Sequence, residues 1–103
     1  MKNILDKVPD RYKEETRKKL ADILISQDPW IKEGIKNRGL SITGDTKFLE
    51  DLGMDSLDTY EYAYKVMENF AGVHISDEKI SEFETIGDYI SYIFLEDCLS
   101  NKR

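Results

Sequence analysis

The sequence predicts an all-α protein, a small four-helix bundle with a long loop between its first two major helices and a short third helix. Three observations carry this expectation. Apolar residues recur at three- and four-residue steps in several separate stretches. The β-branched residues are scattered, and no alternating run is bounded by hairpin turns. Asp, Ser or Thr stands at the head of most periodic stretches, where a helix needs a capping group. With 103 residues the chain is expected to form one domain, 1–103, with its core at about 10–97.

The first helix is expected to start after Pro9-Asp10, with Asp10 as its cap and Glu14 and Glu15 near the positive end of its dipole. Tyr12, Thr16, Leu20, Ile23 and Leu24 would share its buried face. Gln27-Asp28-Pro29 interrupts the pattern. Asp28 reads as the cap of a short helix with Pro29 at its first position, where a missing N–H costs nothing. Trp30, Ile31 and Ile35 would form its apolar side, with Trp30 as an anchor, and it would end near Gly39. Residues 39–54 read as a loop with Gly39, Gly44 and Gly53, held by Leu40, Ile42, Phe48 and Leu52.

A second long helix is predicted from Ser56 to about Phe70, capped by Asp55. Leu57, Tyr60, Tyr64 and Met67 lie along one stripe, and Ala63, Val66 and Phe70 along its neighbour. Ala71-Gly72 closes it. Ser76-Asp77-Glu78 opens a turn of helix through Ile80. The last helix begins at Thr85, whose partner Asp88 makes a variant of the capping box. Ile86, Tyr89, Ile90 and Ile93 form its buried stripe, continuing to Phe94 or Leu95. Ser100 to Arg103 is expected to fray.

Composition narrows the function classes. Cys98 is the single cysteine, which excludes an internal disulfide framework and a Cys-based zinc site. It reads as a small buried hydrophobe, and a free thiol fits a reducing compartment. No metal-ligand spacing appears. No stretch approaches the ~20 apolar residues of a membrane span. The start, Met1 to Lys7, lacks the apolar run of a signal peptide. These features lead to the expectation of a cytoplasmic protein, monomeric and without a membrane span.

The net charge of −6 is unevenly spread. Residues 1–44 carry ten Lys/Arg against seven Asp/Glu; residues 45–88 carry three against twelve. Such an acidic segment repels nucleic acid and attracts basic protein surfaces. On charge alone, a solvated helical surface is the simpler explanation.

By themselves Asp55-Ser56-Leu57 are ordinary capping chemistry. Their surroundings are more specific. Phe48-Leu49-Glu50-Asp51-Leu52-Gly53-Met54-Asp55-Ser56-Leu57-Asp58 resembles the signature of acyl carrier proteins: Phe, two variable residues, Asp-Leu-Gly, any residue, Asp-Ser-Leu, often followed by Asp. Glu61 and Phe70 match family positions downstream. Ile75-Ser76-Asp77-Glu78 looks like the family's Ile-Pro-Asp-Glu, with Ser in place of Pro. Thr85-Ile86-Gly87-Asp88 resembles the start of its last helix. The likeness covers about residues 46–93.

The resemblance implies a bundle of acyl-carrier type and a carrier without catalytic activity of its own. Ser56 would take a covalent 4′-phosphopantetheine arm, donated from coenzyme A by a separate phosphopantetheinyl transferase. The thiol of that arm would hold acyl groups as thioesters for fatty acid, lipid or polyketide-type synthesis. Asp55 and Leu57 would flank the attachment point. Asp58, Tyr60, Glu61, Tyr64 and Glu68 would meet the basic docking patches of acyl-activating, acyl-transfer or condensing enzymes. This gives the acidic segment a docking role. The residues suit the chemistry: a hydroxyl at the first turn of a helix is easily reached, and helix N–H groups favour a phosphodiester. A Ser–His hydrolase needs an orienting group and an oxyanion hole as well, and His74, read as exposed and structural, lies eighteen residues from Ser56.

Two other readings belong beside this one: an aminoacyl or peptidyl carrier, and an acidic helical adaptor that is never modified. The intact Ser56 argues against the adaptor. The chain also departs from the family at Tyr60, Tyr62 and Tyr64, where aliphatic residues are usual. One such position normally touches partners and another helps line the cavity that shelters an acyl chain. The tyrosines read either as ordinary packing or as the mark of a specialised carrier with an altered cavity.

Overall fold

The computed structural model describes residues 4–100. Among these it shows five α-helices: α1 (Asp10–Gln27), α2 (Pro29–Asn37), α3 (Ser56–Asn69), α4 (Asp77–Glu82) and α5 (Ile86–Ser100). A short 3-10 turn (Leu5–Lys7) precedes them. The four-helix bundle is α1, α3, α4 and α5, and α2 lies in the connection between α1 and α3. α1 packs on α2, α3 and α5, while α4 packs on α3.

The core follows from apolar periodicity. α1 buries Thr16, Leu20, Ala21, Ile23 and Leu24 on one side. α5 buries Ile86, Tyr89, Ile90 and Ile93, the stripe expected from its sequence. This shared burial, rather than local propensity, supplies most of the stability of these helices. Thr85 and Asp88 make the expected reciprocal cap. The Thr85 N–H donates to Asp88 Oδ2 at 3.1 Å and the Asp88 N–H donates to Thr85 Oγ1 at 3.2 Å.

The long loop is not free. The Phe48 N–H donates to the Glu84 carbonyl (3.0 Å), the Ile86 N–H to the Thr46 carbonyl (3.1 Å) and the Gly87 N–H to the Gly44 carbonyl (2.8 Å). Lys47 and Thr85 form an isolated antiparallel bridge, and no strand forms among the described residues. The contact at Gly87 is so close that a Cβ there would sit 2.7 Å from the Gly44 carbonyl oxygen. Arg17 of α1, paired with Glu14, donates to the Ile42 carbonyl at 3.0 Å and ties the loop to the bundle from the other side.

Several expectations need correction. Asp10 is the first residue of α1 rather than its cap: Pro9 holds the cap position, and no side chain caps this end. Asp28 does hold the cap position of α2, with Pro29 at its first position, but its side chain makes no capping bond. Trp30 is 45% exposed and lies outside the core; Ile31 is the buried residue of α2. Of the two stripes on α3, that of Leu57, Tyr60, Tyr64 and Met67 is the outer one, with Leu57 and Tyr64 exposed and Tyr60 and Met67 packed partly against the core. In its neighbour Ala63 and Val66 are buried and Phe70 partly so, and Tyr62, which belongs to neither stripe, is buried with them. The core lies toward α1 and α5, one step around the helix from the stripe that apolar content alone selects. α4 extends past Ile80 to Glu82. Cys98 is half-buried. α5 continues to Ser100, and residues 101–103 of the segment expected to fray lie outside the described residues.

Candidate functional site

Ser56 is the first residue of α3, and local chemistry fixes its place. Gly53 turns the chain with φ 68°, in the left-handed region that glycine enters without the Cβ penalty. The next residue, Met54, is buried, and its N–H donates to the Phe48 carbonyl at 3.0 Å. Asp55 then caps α3 as expected. Its carboxylate accepts from the Asp58 N–H at 2.9 Å, and the Asp58 carboxylate accepts from the Asp55 N–H at 3.1 Å, a reciprocal capping box. The Thr59 hydroxyl donates to the Asp55 carbonyl at 2.7 Å. From α1, Gln27 Nε2 donates to the Asp58 carbonyl at 3.1 Å and pins this first turn to the bundle.

Ser56 itself is exposed, and its hydroxyl has no hydrogen-bond partner among the described residues. Leu57 beside it is 67% exposed. The cap takes up the Asp58 N–H and leaves those of Ser56 and Leu57 as helix-end donors. The hydroxyl opens onto a groove of about 450 Å³, whose floor is made by Phe48, Met54 and Phe83. Lys47, Glu50 and Glu84 stand at its polar margin.

Behind the floor the interior is aromatic. Tyr62 and Tyr89 are fully buried, and their ring centroids lie 5.3 Å apart. Phe48 touches both rings at 5.5 Å, and Phe83 lies 4.5 Å from Tyr89. These edge and tilted contacts suit the ring quadrupoles. The Tyr62 hydroxyl donates to the Leu20 carbonyl at 2.8 Å, whereas the Tyr89 hydroxyl has no partner. Burial pushes both hydroxyls up from the ordinary tyrosine pKa, Tyr62 well above it.

The other residues singled out from sequence lie along α3 beyond Ser56. Asp58 is half-buried and committed to the cap; Glu61 and Glu68 are exposed. Tyr60 and Tyr64 reach α4: the Tyr60 hydroxyl donates to the Asp77 carbonyl at 3.4 Å and the Tyr64 hydroxyl to Asp77 Oδ1 at 3.3 Å. The charge of Asp77 raises the pKa of Tyr64. His74 is exposed and lines a different groove with Tyr64 and Met67, away from the one at Ser56. Among the described residues no cluster of His, Cys, Asp or Glu is placed to hold a metal ion.

Phe83 and Thr59 were missed as groove residues from sequence. The three-residue step from Ile80 to Phe83 was the available signal for Phe83. Tyr89 was legible as core but not as the ring behind the site.

Ser56 thus stands unengaged on a capped helix end, beside a groove whose floor is apolar and whose margin is polar. The family described as "Phosphopantetheine attachment site" matches residues 33–93. The chain is 46% identical over 74 residues to the acyl carrier protein of Treponema pallidum, covering 72% of this chain and 94% of that one. It is 50% identical over 52 residues to that of Treponema denticola (50% and 65% of the two chains). It is 41% identical over 63 residues to that of Borreliella burgdorferi (61% and 78%). The chain belongs to the acyl carrier protein family. The residues fit the group that this family attaches, since an accessible primary hydroxyl, two helix-end N–H donors and a groove converge at one point. No helix among the described residues is long and apolar enough to cross a membrane.

Proposed function

We propose that Ser56 is the residue joined to 4′-phosphopantetheine, and that the protein carries acyl groups on that arm between the enzymes of fatty acid, lipid or polyketide-type synthesis. The observation that carries the assignment is the exposed, unpartnered Ser56 hydroxyl at the head of α3, held by the Asp55–Asp58 cap and the Gly53 turn. A separate transferase joins the serine oxygen to the phosphate of the arm, with coenzyme A as donor. The terminal thiol of the arm supplies the thioester chemistry, and the chain supplies position. The N–H groups of Ser56 and Leu57 sit at the positive end of the helix dipole, where a phosphodiester is favoured.

The chain acts as one domain, 1–103, and as a monomer without catalysis of its own. Asp58, Glu61 and Glu68, with Tyr60 and Tyr64, form the face read by the transferase and by acyl-activating, acyl-transfer or condensing enzymes. The single half-buried Cys98 suits work in the cytoplasm.

The assignment is tested by incubating the protein with a broad-specificity phosphopantetheinyl transferase and coenzyme A, then measuring intact mass. The expected result is a gain of one arm, lost in Ser56→Ala. No gain with several transferases, or a gain that persists in Ser56→Ala, removes the assignment.

A further inference from the structure

An apolar cargo tethered at Ser56 gains by leaving water, so the space open to it decides what it can be. The groove at Ser56 offers little apolar surface. Phe48, Met54 and Phe83 make its floor but are only 1%, 2% and 4% exposed; among its lining residues Leu49 is the well-exposed apolar side chain, at 71%. A longer chain entering through this floor would meet the rings that pack against it. Phe48 contacts Tyr62 and Tyr89, Tyr62 contacts Tyr89, and Phe83 contacts Tyr89, with all four centroid separations between 4.5 and 5.5 Å. Neither tyrosine ring is easily displaced. Tyr62 is held to α1 through its bond to the Leu20 carbonyl. Tyr89 packs against the other three rings and carries a buried hydroxyl without a partner, which an alkyl chain beside it could not satisfy.

We infer that this carrier takes short or polar acyl groups that lie in the groove at Ser56, because Phe48, Tyr62, Phe83 and Tyr89 close the interior to a long alkyl chain. The inference rests on Ser56 as the attachment point. Tyr62 and Tyr89 are then specificity-determining residues that act by filling space.

The test loads the full chain from butanoyl- and tetradecanoyl-coenzyme A with a broad-specificity transferase, and confirms each adduct by intact mass. Chemical shifts and thermal midpoints of the two forms are then compared. Both acyl groups should shift the signals of Leu49, Thr59 and Phe83. Tetradecanoyl should leave Leu20, Val66 and Ile90 where butanoyl leaves them, with midpoints within about 4 °C of each other. Shifts at Leu20, Val66 and Ile90 that grow with chain length, together with a clearly higher midpoint for the longer chain, overturn the closed interior while leaving the Ser56 assignment intact. Absence of any adduct removes the Ser56 assignment, and this inference with it. Tyr62→Leu/Tyr89→Ala should gain the length-dependent shifts; if that variant does not fold, the comparison on the unmodified chain still decides.

Discussion

Tyr62 and Tyr89 are the same residue type in the same cluster, yet their hydroxyls stand in opposite situations. The Tyr62 hydroxyl is satisfied by the Leu20 carbonyl, and the Tyr89 hydroxyl is buried without a partner. A satisfied hydrogen bond contributes about 0.5–1.5 kcal/mol, while an unsatisfied buried hydroxyl costs about 1–3 kcal/mol. Removing the two oxygens should therefore have different effects. Tyr62→Phe is expected to lower unfolding stability by about 1 kcal/mol. Tyr89→Phe is expected to leave it unchanged or raise it by up to about 2 kcal/mol. Urea denaturation of the two variants checks this, and equal losses in both would contradict the buried-hydroxyl reading. The sequence could mark Tyr89 as core through its Ile86–Ile93 stripe. It could not show that Tyr62 is core, because the α3 stripe through Leu57, Tyr60, Tyr64 and Met67 is more continuous in apolar content. In the folded chain Leu57 and Tyr64 face solvent, Tyr60 and Tyr64 bond Asp77, and Tyr60 and Met67 pack partly against the core.

At the scale of elements, the placement of Ser56 depends on a loop that is distant in sequence from the helix it leans on. The Gly44–Gly87 contact is where the two approach most closely. A methyl group at residue 87 would meet a backbone carbonyl oxygen, which cannot rotate away as a side chain can. Gly87→Ala is expected to destabilise the fold by about 1–3 kcal/mol, the range for overpacking a close contact. It should also broaden the amide signals of residues 44–48. A thermal midpoint equal to that of the unmodified chain would show that the backbone relaxes freely there. Helix starts were the most legible part of this level. Asp55, Ser76 and Thr85 cap where their residue types indicate. The path of the loop was not legible, since it is set by backbone hydrogen bonds that leave no side-chain signature. The initial 3-10 turn was not legible either, because three residues are too few for any periodicity.

For the whole molecule, two properties follow from where charge and tyrosine sit. The first is alkaline lability. Burial raises the pKa of Tyr62 and Tyr89, and burial with the neighbouring Asp97 charge raises Tyr12 to about 12. Tyrosine ionises near pH ~10 in an unfolded chain, so the folded state keeps protons that the unfolded state has lost above that pH. Their contribution is therefore fully present below pH ~10 and is lost as pH rises through the folded values. Stability in urea should be level from about pH 7 to 9 and fall from about pH 10 upward, less steeply in Tyr62→Phe and Tyr89→Phe. A decline already complete by about pH 9 would point to other groups. The second property is docking. With twelve acids against three bases in residues 45–88, binding to a basic partner should weaken with salt. The dissociation constant for a phosphopantetheinyl transferase is expected to rise about 3–10-fold between about 0.1 and 0.5 M salt. Glu61→Lys/Glu68→Lys should weaken it at low salt while leaving the thermal midpoint nearly unchanged. Isothermal titration across salt concentrations checks both statements.

The ring cluster behind the serine also bears on timing. A carrier that encloses its cargo adds a step to every transfer, because the chain must first be drawn out of the protein before a partner can act on it. With Phe48, Tyr62 and Tyr89 in mutual contact and Phe83 against Tyr89, that step would be missing. Delivery would then run at the pace of encounter between two charged surfaces, with the same half-time for every cargo the partner accepts. The thioester would meanwhile stand in water, and its lifetime would set how long the carrier can wait.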